Sequence, residues 1–314
     1  MEKVAVIGAG LIGRGWAIVF ARAGRPVALT DADPGALGRG MELLRENLED
    51  LAGFGLIDEA PEAVAARVTA TEDLGEALSG CDYAQECVLE KVDLKAQVFA
   101  EMDRLAPEGA ILASSASFSP VSDFASDLPG RHRCLVAHPV NPPHLVPLVE
   151  IVPAPFTDPD AVERARRLMA EVGQAPIVVE REVFGFVLNR LQAALLNEAF
   201  RLVEDGLVSP ADLDVTVKHG LGLRWVFMGP FETIDLNAPG GIADYAERAR
   251  AAMLRMAEEQ ADPRPWAPGL VEKIEAARRQ ELAADGLQAK QDWRDRRLMA
   301  LLAQKRKAAA REPG

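Results

Sequence analysis

Short runs of aliphatic and β-branched residues alternate with longer runs of helical period through the first half of the chain. This alternation is typical of a parallel sheet whose strands are joined by crossover helices. The sequence predicts seven strands, each bounded by turn residues: Val4–Ile7, Val27–Thr30, Val68–Ala70, Tyr83–Glu86, Ala110–Ala113, Cys134–Ala137 and Ile177–Val179. We therefore expect a doubly wound α/β sheet covered by helices.

Start and stop signals frame one helix near the end of this half. Thr157 offers a side-chain cap, Asp160 supplies an acid three residues on, and the apolar-periodic run that follows ends at Gly173. A capped start and a glycine stop predict a helix between these positions.

Strand-like runs disappear after about Val183, and runs of Leu, Ala, Glu and Arg at helical spacing follow. We expect an α/β domain over residues 1–182 and an all-α domain over residues 183–314. The first helix of the second domain, Val187–Asp205, is apolar on two faces. One face carries Val187, Leu191 and Leu195, and the other carries Leu188, Leu196 and Val203. A helix of this kind is usually buried in a core or a subunit interface, which predicts a homodimer through the helical domain.

Composition narrows the class of partner. With 314 residues, 49% of them apolar, the chain can bury two domain cores, and 35 basic against 48 acidic residues give a net charge of −13. This balance disfavours nucleic acid and anionic membranes and favours a small-molecule partner. The sequence shows no export signal and no apolar run of about 18 residues. Its three cysteines lack zinc-type spacing, so we expect reduced thiols, no metal and a cytoplasmic protein.

A glycine-rich segment, Gly8–Gly13, directly follows the first predicted strand and opens a helix. In such a loop Gly8 permits the tight turn, Gly10 lets the backbone approach a pyrophosphate, and Gly13 lets the helix and the strand pack closely. The first turn of the helix supplies free N–H groups to the anion. The expected cofactor-binding residues of this loop are Gly8, Gly10, Leu11, Ile12 and Gly13.

An acidic residue, Asp31, ends the second strand 23 positions after Gly8, where a carboxylate is expected to bind the adenosine ribose. Its charge would repel the 2′-phosphate of NADP, and no arginine stands immediately beside it, so the sequence favours NAD. Strand, glycines, helix and acid together indicate a Rossmann-type domain. A plain glycine-rich turn with a solvated aspartate, or a flavin site, remains the alternative.

Two polar loops follow later strands. Ser114–Ser117 comes after one and His138–Pro143 after another. A lone histidine in such a turn is more often structural than catalytic. Because the carboxyl ends of parallel strands are where open α/β sheets bind ligands, this placement favours a functional site.

The chain resembles the short-chain 3-hydroxyacyl-CoA dehydrogenase superfamily over nearly its whole length. The resemblance rests on the glycine segment, on Ser117 standing 21 positions before His138, on His138-x-x-Asn141-Pro142 leading to Glu150 twelve positions after the histidine, and on the run Gly185–Arg190. It implies that His138 is the general base and Glu150 its partner. It also implies that Ser117 and Asn189 bind the reacting oxygen or the nicotinamide. Ser117 and Asn141 are further implied at the cofactor.

A weaker match concerns Glu90 and Lys95, which the family places near the nicotinamide ribose and the active site. Their spacing around a helix start would equally suit solvated charges.

Chemistry supports the implied base. Removing hydride from a secondary alcohol requires losing the hydroxyl proton at nearly the same time, and a histidine, with an ordinary pKa near ~6.5, can accept that proton at neutral pH. Glu150 bonded to the far ring nitrogen would fix the tautomer and stabilise the imidazolium. His132, His144 and His219 lack the spacing of His138 to Ser117 and Glu150.

The expected substrate class follows from a difference between this chain and the family members that act on acyl-CoA. Acyl-CoA members carry two aromatics where Pro139 and Val140 stand here. The blocks Leu221–Trp225, Met228–Thr233 and Asp292–Asp295 resemble the lambda-crystallin, or L-gulonate 3-dehydrogenase, branch, and carnitine 3-dehydrogenases share part of them. The expected reaction is NAD-dependent oxidation of the 3-hydroxyl of a small free 3-hydroxy acid, L-gulonate-like, to the 3-keto acid.

Three alternatives to this expectation stay open. Two are other enzymes, a 3-hydroxyacyl-CoA dehydrogenase such as one for 3-hydroxybutyryl-CoA, and a carnitine 3-dehydrogenase. The third is a crystallin-like protein that binds NADH without catalysis. Arg224 is expected either to bind the substrate carboxylate or to pair with Glu232 or Asp235.

Overall fold

A computed structural model describes residues 2–311, which form two compact units. The first unit ends at Arg190 and takes up the chain again at Asp292, and the second comprises Leu191–Gln291. The first unit contains one sheet of eight strands: β1 Val4–Ile7, β2 Val27–Thr30, β3 Val68–Thr71, β4 Tyr83–Glu86, β5 Ile111–Ser114, β6 Cys134–Pro139, β7 Leu148–Pro153 and β8 Ala175–Val178.

The helices follow the order that the sequence pattern indicates. Those of the first half are α1 Leu11–Arg22, α2 Pro34–Gly53, α3 Pro61–Ala65, α4 Leu74–Leu78, α5 Val92–Leu105, α6 Ser122–Ala125 and α7 Pro159–Glu171. Those of the second half are α8 Leu188–Glu204, α9 Pro210–Thr216, α10 Gly222–Trp225, α11 Pro230–Asp235, α12 Gly241–Gln260, α13 Pro268–Glu281 and α14 Leu287–Ala309. A single π-helical turn, Val217–Leu221, joins α9 to α10.

The sheet has the order β3-β2-β1-β4-β5-β6-β7-β8, with parallel pairing from β3 through β6. The order of the strands reverses between the neighbours β1 and β4, because the chain crosses from β3 back to the other side of β1. Loops on either side of such a switch point diverge and leave a crevice at the carboxyl ends of the strands. The doubly wound Rossmann-type fold with a helical second half is confirmed.

One strand departs from the sequence prediction. β7 has no counterpart among the seven predicted strands, and it runs antiparallel to β6. The apolar, β-branched run Val149–Val152 does carry a strand signal, but flanking prolines and the glutamate within it break the alternation on which the prediction relied. Parallel pairing with β7 then places β8 slightly earlier than predicted.

Apolar side chains fill both faces of this sheet. On one face Trp16 of α1 stacks on Phe20, which also contacts Tyr83 of β4. On the other face Phe99 of α5 packs edge-on against Phe124 of α6. These rings are buried, so they pack helices α1, α5 and α6 tightly around the sheet that carries the site.

The predicted cap of α7 is wrong, although the helix itself forms and ends before Gly173. Thr157 does not cap: its hydroxyl donates to the Cys134 carbonyl at 2.7 Å and accepts from the Ala154 N–H. Asp158 occupies the cap position without a side-chain hydrogen bond. The hydroxyl therefore ties the start of α7 to β6.

The compact units differ from the expected division at residue 182. The last helix, α14, leaves the helical unit at Asp292 and rejoins the sheet unit. Met299 is buried in the core of that unit, with Leu298 and Leu302 packed beside it, and the Arg306 guanidinium binds the Asp58 carboxylate at 2.7 Å. These contacts pair distant segments, which sequence periodicity cannot indicate.

The helix predicted to be apolar on two faces, α8, is half covered. Val203 is buried and Leu188 and Leu196 are partly buried, whereas Leu191, which is 63% exposed, and Leu195 face outward. No helix among residues 2–311 is long and apolar enough to cross a membrane. The cysteines are free thiols, and a cytoplasmic location stays a prediction.

Candidate active site

The glycine loop after β1 is shaped by two close approaches and one open space. Gly8 has φ of +103°, and a side chain there would lie 2.8 Å from the Cys87 carbonyl oxygen. A side chain at Gly13 would collide with the Gly8 carbonyl. At Gly10, the residue that precedes α1, a side chain would meet nothing within 4 Å. The first and third glycines therefore serve packing, and Gly10 leaves room for an anion at the start of the helix, where Leu11 and Ile12 form the first turn.

Asp31 binds the glycine loop with one carboxylate oxygen and its own loop, after β2, with the other. Its Oδ2 accepts a hydrogen bond from the Ala9 N–H at 2.7 Å, and its Oδ1 accepts one from the Asp33 N–H at 2.9 Å. Asp31 also lines a cleft of about 420 Å³, together with Gly8, Gly10 and Thr30 and with the apolar side chains of Leu74, Val88, Leu94 and Val98. A cleft that combines apolar side chains, a carboxylate and an open helix N-terminus has the chemistry to bind an adenine, a ribose and a pyrophosphate.

His138 and Glu150 face each other directly across the antiparallel pair of β6 and β7. The His138 Nδ1 lies 2.7 Å from the Glu150 Oε2. Because a carboxylate can only accept, Nδ1 carries the proton and Nε2 is left with its lone pair. His138 is 5% exposed, so the ring is held in a nearly closed site.

Glu150 is fully buried and has partners on both oxygens. Its Oε1 accepts hydrogen bonds from the Val187 and Leu188 N–H groups, each at 2.9 Å, at the start of α8. Burial alone raises the pKa of Glu150, but the His138 bond and the two backbone bonds outweigh it and leave that pKa below its usual range. Gly185 and Phe186, both at positive φ, form the turn that aims these N–H groups at the carboxylate.

Glu90 binds the backbone of the loop after β5, residues 115–119, which we call the serine loop. Its carboxylate accepts backbone hydrogen bonds from Ser117, Phe118 and Ser119 at 2.7 to 3.2 Å, and the Asn189 side chain donates to the Ser117 carbonyl at 2.7 Å. Burial raises the pKa of Glu90, yet the three N–H donors bring it below the ordinary value. Glu90 is therefore not simply a solvated charge, and Ser117, Asn189 and Glu90 come together as one loop cluster.

Lys95 lies inside the protein, so its interpretation as a solvated charge is wrong. The Lys95 side chain is 1% exposed, and its ammonium sits 2.9 Å from both carboxylate oxygens of Glu86. The Ser114 hydroxyl donates to the same carboxylate at 2.6 Å. Sequence reasoning missed Glu86 and Ser114, although both end strands at the edge where the site was expected. A contact of Lys95 with the cofactor stays a prediction.

The remaining predicted residues lie on the surface. Asn141 is exposed in the turn after β6. Arg224 is exposed on α10 in the helical unit, and among residues 2–311 no acid forms an ion pair with it. The expected alternative, pairing with Glu232 or Asp235, is thus absent, and Asp235 accepts the Ile242 N–H at 2.8 Å.

Another histidine, His144, lies in the turn between β6 and β7 and is a second candidate for the general base. His144 is buried, and burial together with the charges of Arg22 and Arg14 lowers its pKa to about 3. An imidazole of such low basicity holds a proton poorly at neutral pH. His144 is therefore a poorer candidate for a general base than His138. Among the described residues, no cluster of His, Cys, Asp or Glu could hold a metal ion.

Comparison with known proteins gives two family matches. Residues 3–183 match the model of the 3-hydroxyacyl-CoA dehydrogenase NAD-binding domain, and residues 185–284 match that of the 3-hydroxyacyl-CoA dehydrogenase C-terminal domain. Rabbit (Oryctolagus cuniculus) lambda-crystallin is 40% identical over 307 residues, covering 96% of both chains. The Streptomyces griseus L-carnitine dehydrogenase is 40% identical, covering 77% of this chain and 72% of its own.

Among solved structures, one similar protein covers nearly the whole chain. It is an NAD⁺-dependent dismutase, 5-formyl-3-hydroxy-2-methylpyridine 4-carboxylic acid 5-dehydrogenase, with a TM-score of 0.82 and 30% identity over 96% of this chain and 97% of its own. Its length and fold match both halves of the present chain.

We expect Asp31→Ser to shift cofactor preference from NAD toward NADP, because it removes the carboxylate that would repel a 2′-phosphate. The lost bond to Ala9 should also raise KM for NAD, since one charged hydrogen bond contributes about 1.5 to 3 kcal/mol. Steady-state kinetics with both cofactors measures the ratio. Asp33→Ser, which removes an exposed acid on the same loop, is the control. A wild type that reduces NADP as efficiently as NAD would contradict the role of Asp31.

Proposed function

The chain belongs to the 3-hydroxyacyl-CoA dehydrogenase family, and we propose that it oxidises the 3-hydroxyl group of a small free 3-hydroxy acid, L-gulonate-like, to the 3-keto acid. It is an NAD-dependent oxidoreductase of that family. The proposal about its catalytic residues rests on the His138–Glu150 pair, in which Nδ1 is bound to the carboxylate and Nε2 is left with its lone pair.

In this proposal His138 is the general base. Its Nε2 lone pair accepts the hydroxyl proton, while Nδ1–H stays bonded to the Glu150 carboxylate. The positive charge that develops on the ring is stabilised by Glu150, which remains ionised because two backbone N–H groups also bind it. Ser117 and Asn189 position the reacting oxygen. Hydride acceptance from the carbon that carries this oxygen is the chemistry that NAD supplies when bound.

NAD would be held by the glycine loop and Asp31. The open space at Gly10 admits the pyrophosphate to the N–H groups of Leu11 and Ile12, and Asp31 meets the adenosine ribose. Glu90, Lys95, Ser117 and Asn141 are proposed on the nicotinamide side. For Glu90 the support is indirect, since it holds the Ser117 backbone.

The free-acid substrate is favoured by two observations. Pro139 and Val140 stand where acyl-CoA members carry aromatics, and the exposed Arg224 has no acidic partner among residues 2–311, so its guanidinium is available to a carboxylate. The name of the Streptomyces relative keeps a carnitine-type acid as the second candidate. A quaternary ammonium would call for an aromatic cage, and aromatics make up only 5% of this chain.

The first test compares L-gulonate, 3-hydroxybutyrate, carnitine and 3-hydroxybutyryl-CoA at equal NAD, followed by NADH absorbance. L-gulonate should give the highest kcat/KM. His138→Ala should lower kcat on it by about 10² to 10⁴ while NADH still binds, because the proton acceptor is lost. Glu150→Gln should lower it in the same direction.

His132→Ala is the matched control, since His132 is exposed and outside the site. Near wild-type turnover in His138→Ala would move the role of base to another residue. A preference for the CoA thioester would instead overturn the free-acid proposal.

Arg224→Ala should reduce kcat/KM on the free acid by about 10- to 150-fold, which corresponds to the loss of a charged hydrogen bond of roughly 1.5 to 3 kcal/mol. Arg224→Lys should recover only part, because an ammonium cannot form two parallel bonds to a carboxylate. With an uncharged ester of the same acid as substrate, Arg224→Ala should lower kcat/KM much less. Equal losses on acid and ester would mean that Arg224 does not bind the carboxylate.

A homodimer is proposed from the exposed side of α8, where Leu191 and Leu195 offer an apolar face to a second copy. Light scattering at micromolar concentration should give twice the 33.8 kDa mass of the chain. Leu191→Glu should shift the protein toward monomer, whereas Leu43→Glu, an exposed leucine on α2, should not. A monomeric mass for the wild type would refute the dimer.

A further inference from the structure

A fully buried amide side chain lies beneath the site, at the carboxyl end of β4. Gln85 has no exposed surface. Its Oε1 accepts the Tyr83 hydroxyl at 2.5 Å, and its Nε2 donates to the Ser115 hydroxyl at 2.7 Å and to the Ala137 carbonyl at 3.2 Å. A backbone carbonyl can only accept, so this last bond fixes which end of the amide is which.

Ser115 completes the network. Its oxygen accepts from the Trp16 indole N–H at 3.2 Å as well as from Gln85, and it lies 3.2 Å from the Cys87 sulfur. A hydroxyl has two lone pairs and one hydrogen, so the hydrogen is directed at Cys87. The Cys87 thiol in turn lies 3.8 Å from the backbone carbonyl oxygen of Gln85. Each side chain in the cluster thus has a partner.

The network lies where strands β5 and β6 stop pairing. The ladder between β5 and β6 ends at the pair Ser114 and Val136, after which β5 turns into the serine loop. Gln85 reaches across this gap to Ala137, the next residue of β6. One amide therefore binds the backbone just before His138 and the side chain two positions before Ser117.

We propose that Gln85 is a positioning residue, which sets the distance between the serine loop and the base through Ser115 and Ala137. The proposal rests on the proposed function, since that gives Ser117 and His138 their roles. Packing alone does not account for an amide here, because a buried amide needs partners for all its polar atoms whereas an apolar side chain of the same size needs none.

Gln85→Met removes the bonds to Ser115 and Ala137 at similar volume. A displacement of about 1 Å of a catalytic group can cost on the order of 10²-fold in rate, so we expect kcat to fall roughly 10- to 100-fold. KM for NAD should change by less than about twofold. Gly10 and Asp31, which are proposed to bind the pyrophosphate and the adenosine ribose, lie outside the network.

Gln174→Met is the matched control. Gln174 is also a buried amide in the sheet unit, and its Nε2 donates to the Pro143 carbonyl at 3.1 Å. It should lose comparable thermal stability while kcat stays within about twofold of wild type. Tyr83→Phe serves if Gln85→Met does not fold: it removes only the hydroxyl that holds the amide and should lower kcat in the same direction.

Nitrogen NMR of the His138 ring, assigned through His138→Ala, separates this proposal from the proposed function. The His138 signals should shift in Gln85→Met or Tyr83→Phe and stay in place in Gln174→Met, whether or not His138 proves to be the base. A kcat equal to that of the Gln174→Met control, or unmoved His138 signals in both network variants, would overturn the positioning role.

Discussion

A carboxylate taken out of water without partners costs several kcal/mol, and Glu150 has no exposed surface. The structure meets this requirement with three donors from two places: the His138 ring on β6 and the N–H groups of Val187 and Leu188 at the start of α8. Antiparallel β7 brings the carboxylate opposite the histidine. One charged group thus binds both the His138 ring, whose tautomer it sets, and the start of α8.

Two other acids near Ser117 also bind several donors, one buried and one exposed. Glu86 is buried against Lys95 and the Ser114 hydroxyl, and Glu90 binds three consecutive backbone N–H groups of the serine loop. Each carboxylate holds a segment that follows a strand. Because charge-assisted bonds are shorter and stronger than neutral ones, they add to the packing that fixes these segments. A rigid loop keeps catalytic groups within the small displacements that turnover tolerates.

The opposite face of β4 carries a neutral counterpart. Glu86 points toward α5, whereas Gln85, its neighbour, lies on the side of α1 and reaches Ser115 and Ala137. Successive residues of a strand point to opposite faces, so one strand end supports the site from both sides of the sheet. Arg224, which is proposed to bind the substrate carboxylate, lies outside the sheet and is exposed on α10.

The sequence by itself determined the β1–α1–β2 unit, the cofactor, the family and the all-helical character of the second half, because these depend on residues close together in the chain or on periodicity. Spacing also marked His138 and Glu150, through the family resemblance. Tertiary structure alone decided the antiparallel β7, the partners of Lys95 and Glu90, the return of α14 to the sheet unit and the Gln85 network. These are contacts between segments far apart in sequence, and a polar side chain shows no sign in the sequence of which distant donor will satisfy it once it is buried.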